Sequence, residues 1–411
     1  MRTAGAPELL ARSFSKLMPN RKTRKYYSGR KIEYALSVDE LRLMGHRRLP
    51  TFVAEFLEGG AEDERTLRWN REIFESIRLV PDTLVDTMSR TTQHCLFGEN
   101  ISAPLVVGPT GHNGLIRHNG DVLLARAATA SGIPFVLSTM SNVKLEEIHS
   151  HVEIAPWMQL YLFGDVALTE NIIRRADESG YEVLVLTTDT NVFGWREWDR
   201  RHFRAPGKLK WGSTFELLKH PGWIFDVLIP HGFPRFENVI DFFPPESRDT
   251  RSAMTRLPDL FLPNITWDTV CKIREKWKHK LVIKGILNVE DARRAVEVGC
   301  DGIVLTNHGG RHLDSCISPI EVLPDVVDSV GKEMSIIIDS GFRRGGDIVK
   351  ALALGADAVM LGRAVLYGLA AGGEAGAIKA LDLIIAEINR VMGQIGCASL
   401  ADLRPNNITG N

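Results

Sequence analysis

The chain has 411 residues, 44% of them hydrophobic, with 50 Lys and Arg set against 51 Asp and Glu. That length buries a large core, and the balanced charge argues against nucleic acid as the main partner. No run of 18 apolar residues is present, so a spanning helix is not expected. Five cysteines without C-x-x-C spacing point to a reduced compartment and to no metal site.

Residues 1–36 are expected to form a flexible basic extension. "RSFSKLMPNRKTRKYYSGRK" is rich in Arg, Lys and Ser and lacks the apolar centre of a secretory signal. Besides a solvated tail, two readings stand: an arm attracted to anionic lipid and an organelle transit peptide. Residues 37–405 are expected to form one domain, and 406–411 a short tail.

From about residue 100, short apolar runs alternate with helix-like stretches. The runs are "APLVVGPT" (103–110), "IPFVLSTM" (133–140), "PWMQLY" (156–161), "VLVLTTD" (183–189), "LVIKG" (281–285), "GIVLTN" (302–307), "SIIIDSG" (335–341) and "AVMLGR" (358–363). Their Ile, Val and Leu content suits strands buried on both faces. Between them, "DVLLARAATASG" and "VEDARRAVEVGCDG" read as amphipathic helices that stop at glycine. Eight such units predict an α/β fold, a (β/α)8 TIM barrel.

The run ends carry Thr110, Ser138, Gln159 with Tyr161, Thr187 with Asp189, Lys284, Asn307 with His308, Asp339, and Gly362 with Arg363. One polar residue after a strand is usually a cap or turn former. Eight on one rim are hard to assign to turns, and a barrel builds its active site on that face. After runs seven and eight, "DSGFRRGGD" and "LGR" combine glycine with arginine where barrels often bind phosphate. A phosphorylated cofactor or substrate is therefore expected.

At these residues the chain resembles the FMN-dependent 2-hydroxy-acid dehydrogenases and oxidases. The resemblance spans about 38 to 405 and rests on "LPTFVAEFLEGGAEDE", "GPTGHNG", "LTTDT", "VIKGILNVEDA", "TNHGGRHLD", "DSGFRRGGDIVKALALGADAVMLGRA" and "QIGC". Within the family the wording is nearest its bacterial mandelate-type members. The resemblance implies FMN as cofactor and an N-terminal helical cap on the barrel. It makes His308 the catalytic base, with Asp189 pairing to it and favouring its protonated form. Arg311 and Arg196 would clamp the substrate carboxylate, and Tyr161 would donate to the substrate oxygen. Lys284 would stand beside N1 and the C2 carbonyl of the flavin. Pro109, Thr110, Gly111, Ser138, Gln159, Thr187 and Thr306 would line the ring and ribityl chain. Asp339, Gly341, Arg343, Gly362 and Arg363 would hold ribityl and phosphate.

Several positions depart from that pattern. Phe56 stands where the family usually has a carboxylate-binding tyrosine, a loss worth roughly 1.5–3 kcal/mol. Either the two arginines suffice, or the substrate is not a simple free acid. Met140 replaces the bulky tryptophan of glycolate oxidase-like members; it either leaves adaptable room for a large side group or fills core. Gly111 tilts the reading from oxidase toward dehydrogenase. His312 stands where glutamine is common and is given no role.

Residues 197–265, between runs four and five, are too long for a plain connection. They are expected to form a lid insertion, and "FELLKHPGWIFDVLIPHGF" is aromatic enough for a bilayer interface. A lid or a subunit contact is the other reading. The activity implied is oxidation of an (S)-2-hydroxy acid, mandelate-like with an aromatic or bulky side group, to the 2-oxo acid, with electrons passing to quinone or another carrier. The alternative is an oxidase that passes them to O2 and releases hydrogen peroxide. A homotetramer is implied, cytoplasmic or held peripherally on the inner face of the membrane.

Overall fold

The computed structural model describes residues 26–205, 208–229, 231–245, 248, 260–262 and 264–409. Most of the basic extension, parts of the insertion and the last two residues lie outside these. Three helices come first: α1 (Val38–Arg48), α2 (Thr51–Glu58) and α3 (Arg65–Ser76). Eight strands follow, β1 (Leu105–Val107), β2 (Val136–Leu137), β3 (Trp157–Leu160), β4 (Val183–Thr187), β5 (Lys280–Ile286), β6 (Gly302–Leu305), β7 (Ser335–Ile338) and β8 (Ala358–Leu361). They form one parallel sheet in the order β1-β8-β7-β6-β5-β4-β3-β2. A parallel bridge between Val107 and Phe135 joins its two ends. The fold is the expected (β/α)8 barrel.

Strand periodicity sorts the apolar side chains into two cores. Val106, Val136, Trp157, Val183, Val185, Val282, Val304, Ile337, Ala358 and Met360 fill the barrel interior. The alternate residues, among them Leu105, Leu137, Leu184, Ile283, Ile303, Ile336 and Val359, face the surrounding helices. Successive strand residues point to opposite faces, so both sets must be apolar when helices cover the sheet. Each fully buried Val or Ile contributes about 1.5–3 kcal/mol. The helix layer is α4 (Gly120–Ala130), α5 (Leu145–His149), α6 (Val166–Glu178), α7 (Trp267–Lys276), α8 (Val289–Glu297), α9 (Pro319–Val330), α10 (Gly345–Ala353) and α11 (Arg363–Gln394).

A hairpin ahead of β1 pairs His94–Leu96 with Glu99–Ile101. Its Leu96 and Ile101 join the interior core, and the Phe97 ring lies 5.5 Å from that of Trp157. The hairpin thereby plugs one end of the barrel. The insertion between β4 and α7 divides its aromatics. Trp223, Phe236 and Phe243 are buried, and the Trp223 indole donates to the Leu115 carbonyl at 2.8 Å. Trp211, Phe215, Leu218, Phe225 and Ile229 stand exposed. Among the described residues no helix is long and apolar enough to cross a membrane.

Candidate active site

The interior face of each strand becomes polar where the strand ends. Counting in twos from the interior residues of five strands reaches Ser138, Gln159, Thr187, Lys284 and Thr306, all buried. The same count from Ile337 reaches Asp339. These groups bond to one another across the strand ends. Ser138 Oγ donates to Gln159 Oε1 at 3.2 Å, and Gln159 Nε2 donates to Thr187 Oγ1 at 3.0 Å. Thr306 Oγ1 donates to Asp339 Oδ1, and Lys284 Nζ lies 3.5 Å from Thr306 Oγ1 and 3.4 Å from Asp339 Oδ2. A buried ammonium with two such long contacts retains donor capacity. Gly285 makes this possible. Its φ of 127° shifts the register beside Lys284, and a Cβ there would stand 3.0 Å from Asp189 N and Cβ.

His308 opens the loop after β6 with φ 55°, followed by Gly309 at 63° and Gly310 at 73°. A histidine in the left-handed region is uncommon. It is held there by Thr306 Oγ1, which accepts the His308 N–H at 2.9 Å, and by Asn307 Oδ1, which accepts the Gly310 N–H at 3.2 Å. His308 Nδ1 lies 2.9 Å from Asp189 Oδ1. The neighbouring His308 and Lys284 outweigh the cost of burial and keep the Asp189 carboxyl well below the usual range. An ionised Asp189 accepts only, so Nδ1 carries the proton and Nε2 presents its lone pair. Burial, aided by Lys284, lowers the His308 pKa against the pull of Asp189. Asp189 favours the charged form, as the family resemblance has it, and burial opposes it. Removal from water outweighs the attraction of the carboxylate.

Beside this pair lies an open cleft. It is lined by Phe56, Pro109, Thr110, Gly111, Tyr161, Lys284, His308, Arg311, Asp339, Gly341, Arg343, Gly362 and Arg363. Asp189, Ser138, Gln159, Thr187, Thr306, Met140 and Arg196 are not among the lining residues. Met140 packs on Gly111, where an added Cβ would lie 2.9 Å from the Met140 Cβ. Burial above all, and Asp189 next, raises the Tyr161 pKa, so its phenol stays protonated. Sequence reasoning passed over Ser340, which lines the cleft at φ 82° and accepts the Gly309 N–H at 3.1 Å. Its non-glycine left-handed backbone leaves no trace in the letters "DSG".

The guanidinium groups are crowded. Arg311 Nη1 donates to the carbonyls of Phe56 at 3.0 Å and Gly59 at 2.9 Å, at the C-terminus of α2. Arg363 donates to Leu57, Gly59 and Gly309 carbonyls at 2.9, 3.0 and 2.9 Å. Cations suit a helix C-terminus. Burial and then Arg196 and Arg363 lower the Arg311 pKa, while burial and Arg343 lower that of Arg363. Arg311 also lies 5.4 Å over the Phe56 ring. Arg196 Nε is held by Asp199 at 2.8 Å. Mutually repelling cations on one cleft form a site for anions.

The profile of the FMN-dependent dehydrogenases matches residues 45–410. The chain belongs to that family. It is 43% identical over 371 residues to (S)-mandelate dehydrogenase of Pseudomonas putida, covering 90% of this chain and 93% of the relative. It is 37% identical over 369 residues to the L-lactate dehydrogenase of Pectobacterium atrosepticum, covering 90% and 95%. The crystal structure of the monotopic membrane protein (S)-mandelate dehydrogenase superposes with a TM-score of 0.87 at 42% identity, covering 92% of this chain and all of that one. A mandelate oxidase bound to (S)-2-phenylpropionate superposes at 0.74 and 33% identity, covering 91% and 98%. As a member of this family the protein is an FMN-dependent oxidoreductase acting on 2-hydroxy acids.

The residues present fit FMN. Gly362 and Gly341 line the cleft beside Arg343 and Arg363. A Cβ at Gly362 would find only Thr110 Cγ2, 3.8 Å away, and would project into the space a ligand needs. Among the described residues Asp189 Oδ2 is buried without a partner.

Proposed function

We propose that the substrate is an (S)-2-hydroxy acid with an aromatic or bulky side group, that His308 is the base, and that the electrons pass to a membrane quinone. The observation that carries the assignment of the base is the 2.9 Å contact between His308 Nδ1 and Asp189, which leaves Nε2 free to accept. FMN supplies the sink for the two electrons that leave the substrate carbon. His308 Nε2 takes a proton from the substrate, and ionised Asp189 stabilises the imidazolium that forms. Arg311 and Arg196 hold the carboxylate as planar forks, and neutral Tyr161 donates to the substrate oxygen. Lys284, Thr110, Gly111 and Thr306 would hold the ring side of FMN. Asp339, Gly341, Arg343, Gly362 and Arg363 would hold its ribityl and phosphate.

The membrane reading is supported by the insertion's outer face. Arg200, Arg201 and Arg204 stack on the exposed rings of Trp195, Trp198 and Trp211 at 3.7, 4.8 and 5.0 Å. Paired cations and indoles suit an anionic bilayer interface. The test is anaerobic bleaching of the flavin by glycolate, lactate, both mandelate enantiomers and mandelamide. Fast bleaching by (S)-mandelate, with reoxidation by quinone and little peroxide under air, is expected. Bleaching by the amide alone would assign a substrate that is not a free acid. Stoichiometric peroxide would assign an oxidase.

A further inference from the structure

Two loops carry the side chains proposed to grip the substrate, and one unassigned side chain joins them. The loop after β4 runs from Asp189 to Arg196; the loop after β6 holds His308 and Arg311. His312 follows Arg311 directly and turns its ring toward His308, with centroids 4.4 Å apart and planes at 85°. Its Nδ1 accepts the backbone N–H of Gly194 at 3.2 Å. The two backbones touch as well: a Cβ on Gly194 would lie 2.2 Å from the Arg311 carbonyl oxygen and 2.6 Å from His312 Cα. Phe193 adds a ring contact at 5.9 Å.

We propose that His312 is a positioning residue: by accepting the Gly194 N–H it fixes the loop that carries Arg196 against the loop that carries Arg311, so that both guanidinium groups address one carboxylate. The inference rests on the reading that Arg196 and Arg311 bind that group. The bond requires an unprotonated Nδ1. Burial, reinforced by the neighbouring His308, Arg196 and Arg311 and opposed by Asp189, holds the His312 pKa down to about 2. The ring therefore stays an acceptor throughout the working pH range. A leucine of similar bulk fills the space without accepting, and a glutamine restores an acceptor. A carboxylate clamp acts on the bound substrate before and during reaction alike, so its loosening is read in KM and not in kcat.

The experiment uses the FMN-loaded protein, (S)-mandelate and a soluble dye acceptor under nitrogen, with H312L, H312Q, R196M and the double variant R196M/H312L. Loss of one hydrogen bond predicts a KM raised about three- to tenfold in H312L, with kcat within about twofold. H312Q should return KM to within about twofold of the parent. Because His312 acts through Arg196, the double variant should be no worse than R196M. An unchanged KM in H312L, equal behaviour of Leu and Gln, or additive losses would each overturn the inference. An R196M protein with unaltered KM would instead remove the carboxylate reading, and the route through Arg196 with it. Flavin absorbance reports whether each variant is loaded. Should H312L lose flavin, H312F, whose ring cannot accept, takes its place under the same criteria.

Discussion

The barrel rim and the insertion depart from ordinary packing in opposite directions. At the rim, Lys284, Asp189, His308 and four arginines are drawn partly or wholly out of water. In the insertion, Trp211 and Phe215 leave 68% and 67% of their surface in it. Buried charge costs free energy unless it is paired, and a patch of exposed aromatics is rare unless something covers it. Each region is therefore unfinished by its own chain. The rim calls for anions, the insertion for an apolar surface, and the two demands are separable by experiment.

The largest effect expected separates them most clearly. Exchanging His308 for glutamine should lower kcat by about 10³-fold, the range for a lost general base, while leaving vesicle binding intact; rapid-scan flavin reduction measures the first and co-sedimentation the second. Replacing Arg311 by methionine removes a charge-assisted contact, and KM for the free acid should rise by about 10- to 100-fold. Steady-state kinetics with (S)-mandelate and with its amide tell charge recognition from bulk, since the amide should lose far less. Serines at Trp211 and Phe215 should weaken partitioning onto anionic vesicles by about tenfold or more and leave dye-linked turnover unaltered. A turnover loss in that variant would mean that the insertion is part of the active site after all.

Smaller shifts sharpen the rim itself. The His308 pKa is depressed, so the neutral base persists below the ordinary imidazole value of about 6.5. The limb of kcat/KM should accordingly be flat through neutrality and fall only as pH drops through the lowered value. Asp189→Asn removes the larger of the two carboxylates that raise that pKa and should move the limb to still lower pH. Phe56→Tyr adds a neutral donor beside Arg311 and should tighten free-acid binding by up to about tenfold, read from KM or inhibitor titration.

How much of this was legible beforehand follows from what a strand can and cannot announce. The eight apolar runs and their polar ends mark both the barrel and its rim, because alternation carries the inward face straight from Val304 to Thr306 and from Ile337 to Asp339. Many of the lining positions from Phe56 to Arg363 came from run ends, glycine–arginine loops or the family resemblance, and Ser340 did not. What stayed hidden is contact across long separations. Arg311 meets the α2 carbonyls some 250 positions earlier, and Asn70 exchanges amide hydrogen bonds at 2.8 Å with Asn307. The lowering of the His308 pKa by burial was hidden too, since a burial cost has no signature in the letters around it. The insertion's aromatics read as one group, yet only the fold separates Trp223, sealed under Phe52, from Trp211 in solvent.

The plug at the far end of the barrel has a bearing on traffic. With Leu96, Phe97 and Ile101 stopping that end, the cleft beside His308 is where a hydroxy acid would arrive and its keto product depart. The two molecules differ by two hydrogens and, on the proposed carboxylate reading, would compete for the same arginines. The keto acid should therefore act as a competitive inhibitor of its own formation, and fast clearance of that compound by a downstream step would set the pace of the enzyme in the cell.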